Sequence, residues 1–376
     1  MTRVPLITPD VRWDDVSEDI REILESGMLT GGAHVAAFEE EVAAICGTAH
    51  GVATTSATTA LQLSLSALDI GPGDEVIVAD FTFPATANAV LAVGAIPVLT
   101  DSSADDMAID PAAIEAAITP NTAAVMPVDP FGQPADYKRI EAIATRAGIP
   151  VIADAACSLG AFRDGRTTGA HGAMGCFSFH PRKMVTCGEG GMVTTNDDAL
   201  AQRLRRLRAH GMERSGVAMR FVEAGFNYRM SEIQAALGRS QLPRLTETLE
   251  DRRRVAALYG EHLASDERIF VPVPPVGTSW SYQSYVVVLD DSIDRDQVIT
   301  AMAEAGLETT IGTYACHNHP AYAHLGYSPG QLPHSARLER QALTLPLLPA
   351  MQDQSIERVT STLLSILDQP SLVSAA

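Results

Sequence analysis

A succession of short apolar runs separated by helical stretches limits what this chain can fold into. The runs are Glu75-Val76-Ile77-Val78-Ala79 and residues 95–100 (AIPVLT), 123–128 (AAVMPV), 149–153 (IPVIA) and 174–179 (MGCFSF). Each is short enough for a strand and too continuous for a strand with one wet face. Helical segments intervene, for example over 111–117 and 135–147. Alternation of this kind predicts a parallel or mostly parallel sheet with helices on both faces, an α/β fold. Ligands of such sheets bind beyond the carboxyl ends of the strands. Ser56, Phe83, Gln133, Asp154 and Lys183 all stand just after predicted strands.

The C-terminal part reads differently. A long helical stretch begins at Ser231, breaks at Pro243 and continues to about Leu263. A Pro-rich connector (VPVPPVG), a strand at 285–290, a helix near 296–305, a His-rich loop and a last helix from about 353 follow. This predicts a smaller α+β domain, with a division into 1–245 and 246–376. Between Gly211 and Gly225 the expectation is a loop. The arginines of the preceding basic helix (ALAQRLRRLRAHG) are expected on a solvated face or in subunit contacts.

A length of 376 residues supports two such domains, and 46% hydrophobic residues is an ordinary globular share. The net charge of −19 excludes a general binder of nucleic acid or anionic membrane, which needs surplus Lys and Arg. Five cysteines without metal-like spacing suit reduced thiols. The start MTRVPLITPDVRWDD has no apolar signal core, and no run is long enough to span a bilayer, so a cytoplasmic protein is expected.

The chemistry centres on residues 176–196, CFSFHPRKMVTCGEGGMVTTN. Two strand-like runs flank a turn that carries Lys183 and, just beyond, Gly188-Glu189-Gly190-Gly191. Such a turn holds one amine rigidly beside a flat, charged ligand. We read Lys183 as forming a Schiff base with pyridoxal phosphate, then acting as a free amine that moves a proton. Asp154 ends a buried strand, where a carboxylate is costly unless paired. It either pairs with a protonated pyridine nitrogen, making the ring an electron sink, or caps a helix from Ala155. Thr54, Thr55 and Ser56 precede a helix starting near Thr58; they either cap it or open a phosphate seat with the N–H groups of Ala57 and Thr58. Ser178 is a strand serine that could donate to the same phosphate. Phe83 is either a core aromatic or a ring stacked on the pyridine face. Cys157 lies near the position of a ring hydroxyl, or is simply small and buried. His317 and His319, two apart in a loop, form a poor metal site; they line the substrate mouth or are plain loop residues. No metal is expected.

Together these segments resemble the DegT/StrS-type sugar aminotransferases among the fold-type I pyridoxal-phosphate enzymes. The resemblance rests on TGGAHVAAFEEEVA, TTSATTAL, GPGDEVIVADFTFPATANAV, FGQPADY, ADAACSLGA, GCFSFHPRKMVTCGEGGMVTTND, GFNYRMSEIQAALG, HPAYAHLGY and LTLPLLP. It implies an aspartate aminotransferase-like, seven-stranded, mostly parallel sheet with a smaller C-terminal α+β domain. It further implies a homodimer with shared active sites. Lys183 matches the Schiff-base lysine, Asp154 the pyridine-nitrogen partner and Phe83 the stacking aromatic. Ala57, Thr58 and Ser178 match phosphate contacts, and Asn227 an asparagine supplied by the neighbouring subunit. Arg229, Tyr314, His317 and His319 are the candidate substrate contacts. The implied reaction moves an amino group from L-glutamate to a keto group on a nucleotide-activated sugar. A cyclitol or other non-sugar ketone, a lysine-retaining dehydratase, and a non-catalytic cofactor-binding regulator are the alternatives. The chain departs from the family pattern at Ala57 (usually Gly), Thr59 (often acidic or larger), Cys157 (often Gln, His or Glu) and His319 (often Gln).

Overall fold

The computed structural model describes residues 3–103, 106–216 and 218–369. Seven strands build the main sheet: β1 His50–Thr54, β2 Glu75–Ala79, β3 Ile96–Thr100, β4 Thr122–Met126, β5 Ile152–Asp154, β6 Met174–Ser178 and β7 Gly191–Thr195. Their spatial order is β1-β7-β6-β5-β4-β2-β3, with bridges Val125–Val151 and Val128–Asp154 closing the middle. β7 runs antiparallel to both neighbours, and every other pairing is parallel. The expected mostly parallel α/β sheet is therefore present.

Strand periodicity explains why the runs are apolar throughout. Val76 and Val78 join one core with Leu61, Leu65, Ala124, Ile152, Cys176 and Val193. Their neighbours Ile77 and Ala79 face the opposite core with Val125, Ile140 and Ala153. Further along the same face, Phe177 and Met192 pack with Phe38 and Phe179. Both faces are dry, so alternating polarity would have placed unpaired groups in a core.

A second, antiparallel sheet forms from β8 Ile269–Phe270, β9 Tyr285–Leu289, β10 Thr310–Ile311 and β11 Ala342–Leu345, in the order β8-β9-β11-β10. Its core takes Val255, Tyr259, Val298, Met302, Ile356 and Leu363 from three helices, and also Val4 from the start of the chain. The helix Leu245–Leu263 spans the two regions: Leu245 and Leu249 pack in the first, Val255 and Leu263 in the second.

Two local expectations give way. Where a loop was expected after Gly211, Met212–Ser215 pairs with Ala218–Phe221, a hairpin with Met219 and Phe221 exposed. The arginines of the helix Asp198–Arg208 are largely engaged within the chain. Arg203 pairs with Asp69 and Glu223, Arg206 with Glu223, and Arg208 with Glu39. Their acidic partners come from distant segments, which helical periodicity does not reveal.

Candidate active site

The carboxyl ends of β1, β2, β4, β5 and β6 open onto one cavity of about 640 Å3. Gln283, Thr310, Thr344 and Leu345 close it from the second sheet's side, and Leu6 and Ile7 from the N-terminal segment. Ala57, Thr58, Phe83, Asp154, Cys157, Ser178 and Lys183 all line it.

Lys183 sits on the turn between β6 and β7. Its N–H donates to His180 O at 2.9 Å, and its Nζ donates to Cys157 Sγ at 2.9 Å. The turn doubles back on itself, with Phe179 N–H bonded to Gly190 O and Cys187 N–H to Phe179 O. Gly188 takes φ +78°, a left-handed conformation that glycine adopts without Cβ strain. Gly191 has a different reason to be glycine. A Cβ there would stand 2.3 Å from the Ser56 carbonyl and 2.7 Å from Ala57 N, so the antiparallel strand passes directly beneath the helix start.

That helix, Ala57–Ala67, is capped by Ser56, whose hydroxyl accepts from Thr59 N–H at 3.2 Å while Thr59 Oγ1 accepts from Ser56 N–H at 3.0 Å. The expected cap is present, and it is compatible with the phosphate seat that the sequence also offered. The cap uses the Thr59 N–H and leaves those of Ala57 and Thr58 without an intrahelical acceptor, beside the cavity.

Asp154 is buried and caps no helix, since 155–161 is a turn. Its Oδ2 accepts from Thr86 Oγ1 at 2.8 Å and its Oδ1 from Ala156 N–H at 3.2 Å. Burial raises its pKa, and the two hydrogen bonds and the Lys183 charge oppose that rise. Phe83, 66% exposed, leaves its ring bare in the cavity rather than in a core. Its neighbour is Tyr314, 6.4 Å away between ring centres.

The remaining candidates lie elsewhere. Asn227 is exposed and Arg229 half-buried, on the segment bridged to Ala209 that leads into the helix Glu232–Arg239; neither lines the cavity. Tyr314, His317 and His319 stand behind Phe83 and do not line it either. His317 bonds Asp80 and His319 Nε2 lies 2.7 Å from Glu339. Among the described residues no three His, Cys, Asp or Glu side chains are grouped to hold a metal ion.

Three residues were missed. Thr86 follows Phe83 on the first helical turn, and its i, i+4 relation to Thr82 was the available signal. Gln283 lines the cavity and its amide donates to Arg182 O at 2.8 Å. Asp129 is fully buried and accepts from Ser158 Oγ at 2.6 Å, Tyr137 OH at 2.9 Å and Ala135 N–H at 2.9 Å. Burial pushes its pKa up to about 6. It shares with Asp154 the signature of a carboxylate after an apolar run, and its N–H donates to Asp154 O at 3.0 Å.

A lysine turn, a buried carboxylate and an open helix start thus meet at the strand ends of a doubly covered sheet, the arrangement of a ligand-binding α/β protein. The chain belongs to the DegT/DnrJ/EryC1/StrS aminotransferase family, whose model matches residues 13–364, and it is a transaminase. It is 39% identical to a UDP-N-acetyl-3-dehydro-α-D-glucosamine 3-aminotransferase of Acidithiobacillus ferrooxidans, over 93% of each chain. It is 40% identical to the GDP-perosamine synthase of Caulobacter vibrioides, over 98% of this chain and 99% of that one. Its fold matches that of Spr1654 from Streptococcus pneumoniae in its PLP form, with a TM-score of 0.92 and 27% identity, covering 97% of this chain and 98% of that one.

Proposed function

We propose that this transaminase moves an amino group from L-glutamate to the keto group of a nucleotide-linked sugar, with pyridoxal phosphate held at Lys183. The observation that carries the proposal is the convergence of Lys183, the buried Asp154 and the open N–H groups of Ala57 and Thr58 on one cavity.

The residues fit that cofactor. The helix start offers donors to a phosphate, with the Ser178 hydroxyl on the same cavity. Asp154 is a buried carboxylate suited to a cationic ring nitrogen, and Phe83 presents a bare ring to a flat face. When bound, the cofactor supplies a sink for the electrons left as the substrate C–H bond breaks. Lys183 would hold it covalently and, as a free amine, would carry the proton to and from the substrate carbon. Thr86 and Ala156 hold the Asp154 carboxylate in one orientation. Cys157 Sγ gives the free Lys183 amine an acceptor inside the cavity.

The nucleotide-linked sugar is favoured by the two relatives, whose names specify UDP- and GDP-linked sugars. We further propose a homodimer in which a second copy brings Asn227 and Arg229 to this cavity. The exposure of Asn227, and its absence from the lining of its own cavity, support that arrangement. We also propose the division into domains 1–245 and 246–376 and a cytoplasmic setting; no helix among the described residues is long and apolar enough to cross a membrane.

The test is spectroscopic. Adding L-glutamate to the pyridoxal-phosphate holoenzyme should convert the visible absorption to that of the amine form of the cofactor. Nucleotide-linked amino sugars, the products of the forward reaction, should drive the same conversion to the amine form as they return to keto sugars. A spectrum that ignores both would overturn the proposal.

A further inference from the structure

Phe83 is held from behind by a contact far away in sequence. Asp80 follows β2 and is fully buried. Its Oδ1 accepts from His317 N–H at 2.8 Å, its Oδ2 from His317 Nδ1 at 2.6 Å, and its carbonyl from Cys316 N–H at 3.0 Å. A carboxylate accepts and never donates when ionised, so the Nδ1 of His317 carries a proton here. The segment just before His317 extends the grip. Tyr314 and Ala315 pair antiparallel with Thr82 and Phe81, the strand that delivers Phe83 to the cavity. From Thr82 a side-chain relay continues: its Oγ1 lies 2.9 Å from Thr86 Oγ1, which donates to Asp154 Oδ2 at 2.8 Å.

We infer that the Asp80–His317 pair is a clasp that positions Phe83 and, through Thr82 and Thr86, Asp154; His317 is a positioning residue rather than a substrate contact. This rests on the cofactor reading of the cavity given above. His317 Nδ1 and its backbone N–H are both spent on Asp80, and its Nε2 is buried without a partner among the described residues. The ring does not join the lining of the cavity. The clasp also links the two sheets, because His317 comes a few residues after β10 while Asp80 comes directly after β2. The charges acting on the imidazole are Asp80, Glu339 and Asp101, all negative, and the bond to Asp80 is the largest influence raising its pKa. The charge-assisted part of its grip is complete below the ordinary histidine range and fades as pH rises through the raised value, while the Nδ1–H and backbone N–H bonds remain.

The experiment uses holoenzyme first shown to respond to L-glutamate, so that failure of the function and failure of the clasp are separable. Cofactor affinity is measured by absorbance titration with pyridoxal phosphate across pH, beside KM and kcat, in wild type, His317→Ala, His317→Asn and Asp80→Asn. His317→Ala should weaken cofactor binding on the order of tenfold, the scale of a lost buried charge-assisted bond. His317→Asn, whose amide can stand where Nδ1 stood, should recover most of it and lose the pH dependence. Asp80→Asn should fall between wild type and His317→Ala, and it decides the matter should His317→Ala fail to fold. The inference is overturned if cofactor affinity is unchanged in these variants, if Ala and Asn at 317 are equally impaired, or if only the KM for the sugar moves.

Discussion

Thr86 Oγ1 donates to Asp154 Oδ2 at 2.8 Å, joining the first helical turn after Phe83 to the end of β5. The bond favours the ionised carboxylate against the burial that raises its pKa. Thr86→Val removes that bond at nearly constant volume, so the Asp154 pKa should climb further. Asp154 is ionised above its folded pKa and loses its charge as pH falls through it. The acid limb of the pH–kcat/KM profile should therefore move to higher pH, and activity at neutral pH should drop roughly tenfold. An acid limb that stays in place would show that Thr86 does not govern this charge.

Lys183→Ala should abolish turnover, with a loss of at least about a thousandfold, because both the covalent hold and the proton carrier disappear. In wild type, borohydride treatment followed by peptide mass analysis should find the cofactor fixed on the peptide carrying Lys183. Cofactor fixed on Lys138, the chain's other lysine, would show that the site is misassigned.

The pair of Lys183 Nζ and Cys157 Sγ makes a milder prediction. Cys157→Ser keeps an acceptor of similar reach and should leave cofactor loading near wild type. Cys157→Ala strands the amine and should slow loading several-fold, about the worth of one modest hydrogen bond. Stopped-flow absorbance after mixing apoenzyme with pyridoxal phosphate measures both.

Gly191→Ala tests the phosphate seat from the far side. Its Cβ would meet the Ser56 carbonyl at 2.3 Å and Ala57 N at 2.7 Å, so backbone has to move. We expect about 1–3 kcal/mol of destabilisation and a larger rise in the Kd for inorganic phosphate than a surface Gly→Ala change produces. Thermal unfolding with and without phosphate separates the two effects.

Asp129 supplies a pH-dependent stability test. Its folded pKa of about 6 lies above the ordinary carboxylate value, so its stabilising contribution is complete at low pH and fades as pH rises through about 6. Asp129→Asn removes that dependence. The stability of the variant relative to wild type should be greater at pH 8 than at pH 5, by about 1–1.5 kcal/mol. Equal differences at the two pH values, from denaturant unfolding, would show that Asp129 does not titrate in this range.

Much of the site was legible in the chain itself. Short apolar runs must bury both faces, which dictates the covered parallel sheet, and chemistry then collects where such strands end. Lys183, Asp154, Phe83 and Ala57-Thr58 could be picked out because each follows a strand, and they share one cavity. Ser56 was open to two readings in sequence; the structure shows the cap, which takes one N–H and leaves those of Ala57 and Thr58 for the proposed phosphate seat.

What the chain order could not show are contacts between segments far apart in it. Local periodicity carries no record of which acid faces which base across the fold, so the pairing of Arg203, Arg206 and Arg208 with Asp69, Glu223 and Glu39 emerged only in three dimensions. The same holds for Thr86 on Asp154, for Gln283 at the cavity wall, and for His317. A histidine in a polar loop looks like a ligand contact until burial against Asp80, 237 positions away, turns it inward. The sequence by itself determined the sheet, the lysine turn and the residue types at the strand ends, because these follow from local patterning. Tertiary structure alone decided which of those groups meet, because hydrogen bonding and desolvation depend on distance in space.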